Sequence, residues 1–339
     1  MSIQTISDVA ALAASLSGEM KTAVIGADHT IDLLIAAALC GGHILLEDLP
    51  GSGKTTLAKA FAKVCGCQFQ RIQCTPDLMP ADLTGFQMLQ KQSDGSNTMV
   101  FRQGPVFTNL LLADEINRMA PRTQAGLLEC MAEQQVSSDG TSYPLLQPFW
   151  VIATQNPIEL QGTFPLPEAQ LDRFLMRLKM GKPQREQERF ILESRQLCDP
   201  LAALKTITNA DDFIAAQVLI RQVHASGEVL DYLLNLAETT RSHPRIQYGL
   251  STRAVLAVRH SAQAFAAMHG RDYLLPDDIK VVFPAVCTHR LHVSSHSMND
   301  THAAEQIIQE LLHTVEANIL SHPVNNSVIL HFSHWIPQF

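Results

Sequence analysis

Closely spaced cysteines are nearly missing from this chain. Seven are scattered over 339 residues, and only Cys65-Gly66-Cys67 brings two of them close. One intervening residue fits neither a zinc CxxC nor a thioredoxin-type motif, so buried free thiols are expected. Fourteen histidines are present, but none pair as HExxH, and no metal is assigned to them. Long apolar runs are also lacking. No stretch approaches the roughly 20 residues that span a bilayer, and the N-terminus lacks the basic-then-apolar order of a signal peptide, so the cytoplasm is the expected location. Positive charge is in deficit, with 25 Lys and Arg against 33 Asp and Glu for a net charge of −8. With no cluster of basic and aromatic residues, neither nucleic acid nor anionic lipid is an expected partner. What remains is 46% hydrophobic and 17% charged, the composition of a globular protein, and the length suits about two domains.

The most informative segment follows the apolar run Ile44-Leu45-Leu46. Gly51-Ser52-Gly53-Lys54-Thr55 reads as a glycine loop between strand and helix, turning backbone N–H groups and a helix N-terminus toward phosphate oxygens. Lys54 would reach the β- and γ-phosphates of ATP, and Thr55 would place a hydroxyl on Mg²⁺. Leu57, Phe61 and Val64 recur at helical spacing behind the loop. The full pattern has glycine six residues before the lysine, where this chain has Asp48. A lone Gly-Ser-Gly-Lys is also compatible with an ordinary flexible turn. The second acidic motif weighs against that: Leu110-Leu111-Leu112-Ala113 runs into Asp114-Glu115. A continuous apolar run reads as a strand buried on both faces of a parallel sheet, whose carboxylates emerge at the ligand-bearing edge. Asp114 should hold Mg²⁺, directly or through water, and Glu115 should polarise the attacking water.

The remaining sequence reads as an alternation. A helix up to about Ser17 and another through Ile31, Leu34 and Ala38 precede the loop strand; Phe69–Gln73, Leu110–Ala113 and Trp150–Thr154 read as further strands, alternating with helices such as Thr123–Glu133. The fold class is therefore α/β with a doubly wound parallel sheet. Asp139-Gly140, between Val136 and Pro148, signals a hairpin projecting from that sheet. Val151-Ile152-Ala153-Thr154-Gln155-Asn156-Pro157 ends in amides that could orient water or sense the γ-phosphate, or simply build a turn. In Leu166-Pro167-Glu168-Ala169-Gln170-Leu171-Asp172-Arg173-Phe174, the arginine could equally pair with Glu168 or Asp172. From Arg185 onward, helical patterns at Glu186–Arg195, Asp211–His224, Glu228–Arg241, Arg253–Met268 and Pro276–His289 follow one another without strand signals.

Together these motifs carry a resemblance. From about Val24 to Leu291 the chain resembles the MoxR family of AAA+ ATPases, through Glu47-Asp48-Leu49-Pro50-Gly51-Ser52-Gly53-Lys54-Thr55, Thr75-Pro76-Asp77-Leu78, Leu110 through Arg118, Ala153-Thr154-Gln155-Asn156-Pro157 and Pro167 through Phe174. Asp48 fits the family's Asp-x-Pro-Gly form of the loop. The resemblance implies a AAA+ P-loop NTPase core over residues 1–184 and an all-α lid over 185–291. Residues 292–339 would form a polar linker, His292–Asp300, then a helix through Ala303, Ile307, Leu311 and Val315 packing on the lid. It further implies an ATP-binding set of Pro50, Gly51, Ser52, Gly53, Lys54, Thr55 and Thr56, and a Mg²⁺ set of Thr55 and Asp114. The implied catalytic set is Glu115, with Asn156 as sensor 1, Arg173 as an arginine finger reaching into a neighbouring subunit, and Arg253 as sensor 2. A shared finger implies a homo-oligomeric ring, usually hexameric. Gly26-Ala27 stands where the family commonly has Gly-Gln near the adenine, which leaves recognition of the base from that loop open. The expected activity is Mg²⁺-dependent hydrolysis of ATP to ADP and phosphate, driving chaperone-like remodelling or assembly of a protein client. Metal-cofactor insertion is one such task, and clients or co-chaperones with a von Willebrand factor A domain are implied partners. The alternative is a nucleotide-gated scaffold in which slow hydrolysis is only a timer.

Overall fold

The computed structural model describes residues 3–49, 51–91, 93, 96–157, 162–194, 199–294 and 302–317. α1 (Ile6–Ala23) starts at a capping box, in which the Thr5 hydroxyl accepts the Asp8 N–H and the Asp8 carboxylate accepts the Thr5 N–H. α2 (Asp28–Leu39) is buried continuously from Thr30 to Leu39, as expected of a helix apolar on nearly every side. The sheet then begins with β1 (His43–Glu47), followed by α3 (Lys54–Val64) and β2 (Phe69–Gln73). A short α4 (Pro80–Thr84) leads into a hairpin of β3 (Gly85–Lys91) and β4 (Asn97–Gln103), before β5 (Leu110–Asp114) and α5 (Pro121–Glu133). A second hairpin, β6 (Gln135–Ser138) and β7 (Thr141–Pro144), precedes β8 (Trp150–Gln155), α6 (Glu168–Leu171) and β9 (Phe174–Leu178).

The five-stranded sheet has the order β2-β5-β8-β1-β9 and is parallel throughout. β5 is buried at every residue, which is why its sequence is an unbroken apolar run rather than an alternating one. The hairpin expected at Asp139-Gly140 is present. Both turn residues have positive φ, 49° and 76°, as a two-residue primed turn requires. Neither β9 nor the β3–β4 hairpin was expected from sequence, although Asp94-Gly95 between β3 and β4 is a signal of the same kind. α3 is fixed to the sheet by Phe61, which meets Trp150 edge-on at 5.6 Å and Phe213 at 6.2 Å, while Trp150 and Phe213 lie 4.9 Å apart. Such aromatic pairs add about 0.5–1.5 kcal/mol beyond burial, and here they hold the helix behind the glycine loop.

Beyond the sheet lie α7 (Arg185–Ser194), α8 (Ala210–Ile220) and α9 (Gly227–Ser242), then β10 (Ile246–Tyr248), α10 (Thr252–Met268), α11 (Pro276–Cys287), β11 (His292–Val293) and α12 (Ala303–Thr314). Asn209, Ser226 and Ser251 cap α8, α9 and α10 by accepting the N–H of Asp212, Val229 and Ala254. Two expectations are corrected. The helical region is not free of strands, because β10 and β11 pair antiparallel. The segment read as a linker therefore starts inside a strand, at His292. Short strands of two or three residues are too brief to register as periodicity. The helix through Ala303 is present, with Ile307, Ile308 and Leu311 buried and packed on α9 and α11. Arg195 and the tail after Ala317 lie outside the described residues. One apolar cluster runs from α1 and α2 across one face of the sheet to α8–α12, so the N-terminal helices and the C-terminal helices share a core.

His43 and His289 are buried at the amino edge of the sheet, and burial pushes their pKa values down to about 4 and about 3. The His43 partners fix its tautomer: Nδ1 accepts the Val151 N–H at 3.0 Å, so Nε2–H donates to Met131 O at 3.1 Å. Protonation would set two N–H groups against each other at Val151. Both folded pKa values lie below the ordinary 6.5, so between about 6.5 and 4 the unfolded chain binds protons that the folded one refuses. Stability is therefore full above about 6.5 and falls with acidification by up to about 1.4 kcal/mol per pH unit per histidine. Thermal melts from pH 7.5 to 4.5 should show this decline, and His43→Gln should make it shallower while the His289 contribution remains.

Candidate nucleotide site

At the carboxyl edge of the sheet, β1 delivers the glycine loop, in which Gly51 and Gly53 adopt φ of +82° and +91°. A Cβ at Gly51 would meet nothing within 4 Å, and one at Gly53 only Met180 Cε at 3.8 Å. Glycine is thus needed here for backbone conformation, not for space. Gly53 is the N-cap of α3 and offers no side chain to the N–H groups of the first turn, which leaves those donors for an anion. Ser52 Oγ is buried without a hydrogen-bond partner, an orphan that a phosphate oxygen would satisfy. Thr55 and Thr56 lie in that first turn; Pro50 lies outside the described residues.

Asp48, which stands where the general P-loop pattern has glycine, has a task of its own. Its Oδ1 accepts the Leu49 N–H at 2.7 Å and its Oδ2 accepts the Met180 N–H at 3.1 Å, while its own N–H donates to Gln155 O at 3.3 Å. It ties the base of the loop to the chain leaving β9 and to the end of β8. Lys54 Nζ donates to the carbonyls of Asp48 at 2.5 Å and Leu49 at 3.2 Å. Desolvation lowers its pKa, against the opposing pull of Asp48, Asp114 and Glu115. The two carbonyls hold the ammonium at the loop, and the three carboxylates favour its charged form. Asp48→Gly would restore the general pattern yet remove two charge-assisted hydrogen bonds, each worth about 1.5–3 kcal/mol. We expect a lower melting temperature and weaker ATP binding, read by calorimetry.

Asp114 ends β5, and Glu115 follows in a left-handed conformation with φ 60° and ψ 53°, unusual for a residue with a side chain. Thr154 at the end of β8 holds this turn. Its hydroxyl donates to Asp114 Oδ1 at 2.6 Å and accepts the Glu115 N–H at 2.9 Å. Asp114 Oδ2 accepts Arg71 Nη2 at 2.7 Å and Nε at 3.2 Å. Glu115 Oε2 accepts Gln73 Nε2 at 3.1 Å and forms an ion pair with Arg118, whose Nε lies 2.9 Å away. Asn156, 9% exposed, follows β8 at the same edge. The oxygen-only set of Asp114 and Thr55 suits a hard cation such as Mg²⁺. Among the described residues, no group of three or more His, Cys, Asp or Glu could hold a metal. Arg71, Gln73, Thr154 and Asp48 were not singled out from sequence as members of this site. Arg71 and Gln73 alternate along β2, but their relation to the acids exists only through the β2–β5 pairing.

Arg173 and Arg253 form a second group elsewhere. Arg173 precedes β9, whose first residue, Phe174, pairs with His43 at the start of β1. It therefore lies at the amino edge of the sheet, and its guanidinium donates to Leu128 O on α5. Arg253, in the first turn of α10, points its Nε at Asp172 Oδ2, 3.4 Å away, and is 69% exposed. The anion beside this arginine is thus a carboxylate next to Arg173, not the chain's own glycine loop. Arg290, with a side chain only 6% exposed, secures the same turn. It donates to Asp172 Oδ1 at 2.7 Å, Phe174 O at 2.7 Å and Leu175 O at 3.0 Å.

Comparisons with known proteins agree with this architecture. Residues 43–176 match the family model described as the ATPase family associated with various cellular activities (AAA), and residues 238–311 match the AAA lid domain. A Bacillus subtilis protein, YeaC, described as uncharacterized, is 41% identical over 90% of this chain and 93% of its own. Chaperone MoxR1 of Mycobacterium tuberculosis is 37% identical over 88% and 80%, and Protein MoxR of Methylorubrum extorquens 31% over 90% and 95%. A crystal structure of a Cytophaga hutchinsonii protein shares the fold with a TM-score of 0.84 at 35% identity, covering 92% of this chain and 96% of that one. Among the described residues no helix is long and apolar enough to cross a membrane. With a P-loop, an acid pair and a helical lid in one α/β frame, and with MoxR proteins similar along most of its length, this chain belongs to the MoxR family of AAA+ ATPases.

Proposed function

We propose that the chain hydrolyses ATP with Mg²⁺ in a ring of identical subunits, hexameric by family precedent, and uses the cycle to remodel or assemble a protein client. The observation that carries this reading is the separation of Arg173 from its own glycine loop. The two lie at opposite edges of a parallel sheet, the length of β1 apart, which is roughly 15 Å at about 3.3 Å per residue. A finger so placed serves a neighbour's nucleotide. Arg253, held beside Asp172, shares that outward edge and supports a role at the same intersubunit site. Within each site, Ser52, Lys54 and the N–H groups of the α3 first turn bind phosphate oxygens, Thr55 and Asp114 hold the cation, Glu115 takes a proton from water, and Asn156 orients that water. Bound Mg²⁺ would neutralise charge developing on the phosphates.

A protein client is supported by the β3–β4 hairpin. Phe86, Met88, Leu89, Met99 and Val100 are exposed there by 38–60%, an apolar surface that nucleic acid does not call for. Chaperone-like tasks such as metal-cofactor insertion and partners with a von Willebrand factor A domain belong to this reading, as does a cytoplasmic setting. Light scattering with and without ATP, combined with steady-state hydrolysis at increasing client, tests it. Nucleotide-dependent rings that turn over repeatedly per client are expected. A monomer with full activity, or rings that hydrolyse no faster with client, would leave only the scaffold alternative.

A further inference from the structure

We propose that Arg71 is a counter-ion that competes with Mg²⁺ for Asp114, so that the cation binds only when nucleotide phosphates accompany it. This rests on the reading of Asp114 as a metal-holding carboxylate and adds to it a residue of the edge strand β2. The two arginine N–H groups on Asp114 Oδ2, at 2.7 and 3.2 Å, occupy both acceptor positions of that oxygen. The Thr154 hydroxyl takes one on Oδ1 at 2.6 Å. A carboxylate offers about four such positions, so only one is left.

Asp114 is 12% exposed at its side chain, and Arg71 44%. The arginine can therefore swing into solvent from an edge strand without disturbing the core, whereas the aspartate cannot leave. Lys54 also lies within electrostatic reach of Asp114, so two monovalent cations already share its charge, and a divalent ion arriving alone is repelled by both. The negative charge of the phosphates reverses that balance. Arg71 Nη2 also donates to Gln73 Oε1 at 3.0 Å. This turns the amide nitrogen of Gln73 toward Glu115, so a displaced Arg71 would leave Asp114 and free Gln73 to shift on Glu115 in one movement.

The test is a titration of full-length, nucleotide-free protein with Mn²⁺, reading free Mn²⁺ by electron paramagnetic resonance. Arg71→Gln should bind Mn²⁺ on the order of tenfold more tightly than wild type, because one repelling charge is gone. Arg71→Met should do the same, which guards against a defect peculiar to one variant, and Arg71→Lys should stay near wild type because it keeps the charge. A merely structural clamp predicts the opposite sign, since a carboxylate freed from its anchor would hold the ion less well. Equal or weaker binding in Arg71→Gln and Arg71→Met, including no detectable binding in any form, overturns the proposal. Asp114→Asn separates the two levels: it should abolish the gain when combined with Arg71→Gln. Mn²⁺ binding indifferent to Asp114→Asn would overturn the metal reading itself, and the proposal with it.

Discussion

Arg173→Ala is expected to lower ATP turnover by about 10³–10⁵ while leaving ATP affinity nearly unchanged, the effect of losing an arginine that offsets charge only in the transition state. Arg173 cannot act on its own site across the depth of the sheet, so the deficit should be complementable. Mixing Arg173→Ala subunits with Glu115→Gln subunits creates interfaces that join an intact Glu115 to a neighbour's intact Arg173. Hydrolysis should reappear in the mixture and be absent from each variant alone. Failure to recover activity in rings shown to be mixed by native mass spectrometry would rule out the shared site. The Arg290 hydrogen bonds to Asp172, Phe174 and Leu175 fix the turn that carries Arg173 into β9, so the helical part of the chain positions this arginine.

The second large effect separates binding from chemistry. Lys54→Ala removes the one cation of the glycine loop, and calorimetry should find no ATP binding; unchanged affinity would refute the loop assignment. Glu115→Gln keeps the size of the side chain and should preserve binding while removing most hydrolysis, by about 10²–10⁴, the range for loss of a general base. Because Gln73 donates to Glu115 Oε2, the neutral amide can still accept that bond, and the turn held by Thr154 should survive. Parallel loss of binding and hydrolysis would place Glu115 outside this role. The stalled variant is also the form in which to capture a client.

The sequence by itself determined the parts whose signal is local. Buried parallel strands such as Leu110–Asp114 are continuous apolar runs, Asp139-Gly140 can close a hairpin with both residues at positive φ, and Gly51 and Gly53 announce a turn that side chains would strain. The periods of α3, α5 and α8–α12 are legible for the same reason: each helix buries one face, and the spacing of that face is written in consecutive residues. What depends on pairing at a distance was not legible. That Arg71 and Gln73 of β2 meet Asp114 and Glu115 of β5 follows from strand order, and that Asp48 anchors Met180 follows from β9 lying beside β1. The same holds for Arg253. Its residue type and motif were readable, but only the packing of α11 on β9 and of α10 on α11 set it beside Asp172 and away from its own glycine loop. Local propensity fixes which elements form; which side chains then share a charge or a hydrogen bond is decided by the burial of apolar faces between elements far apart in sequence.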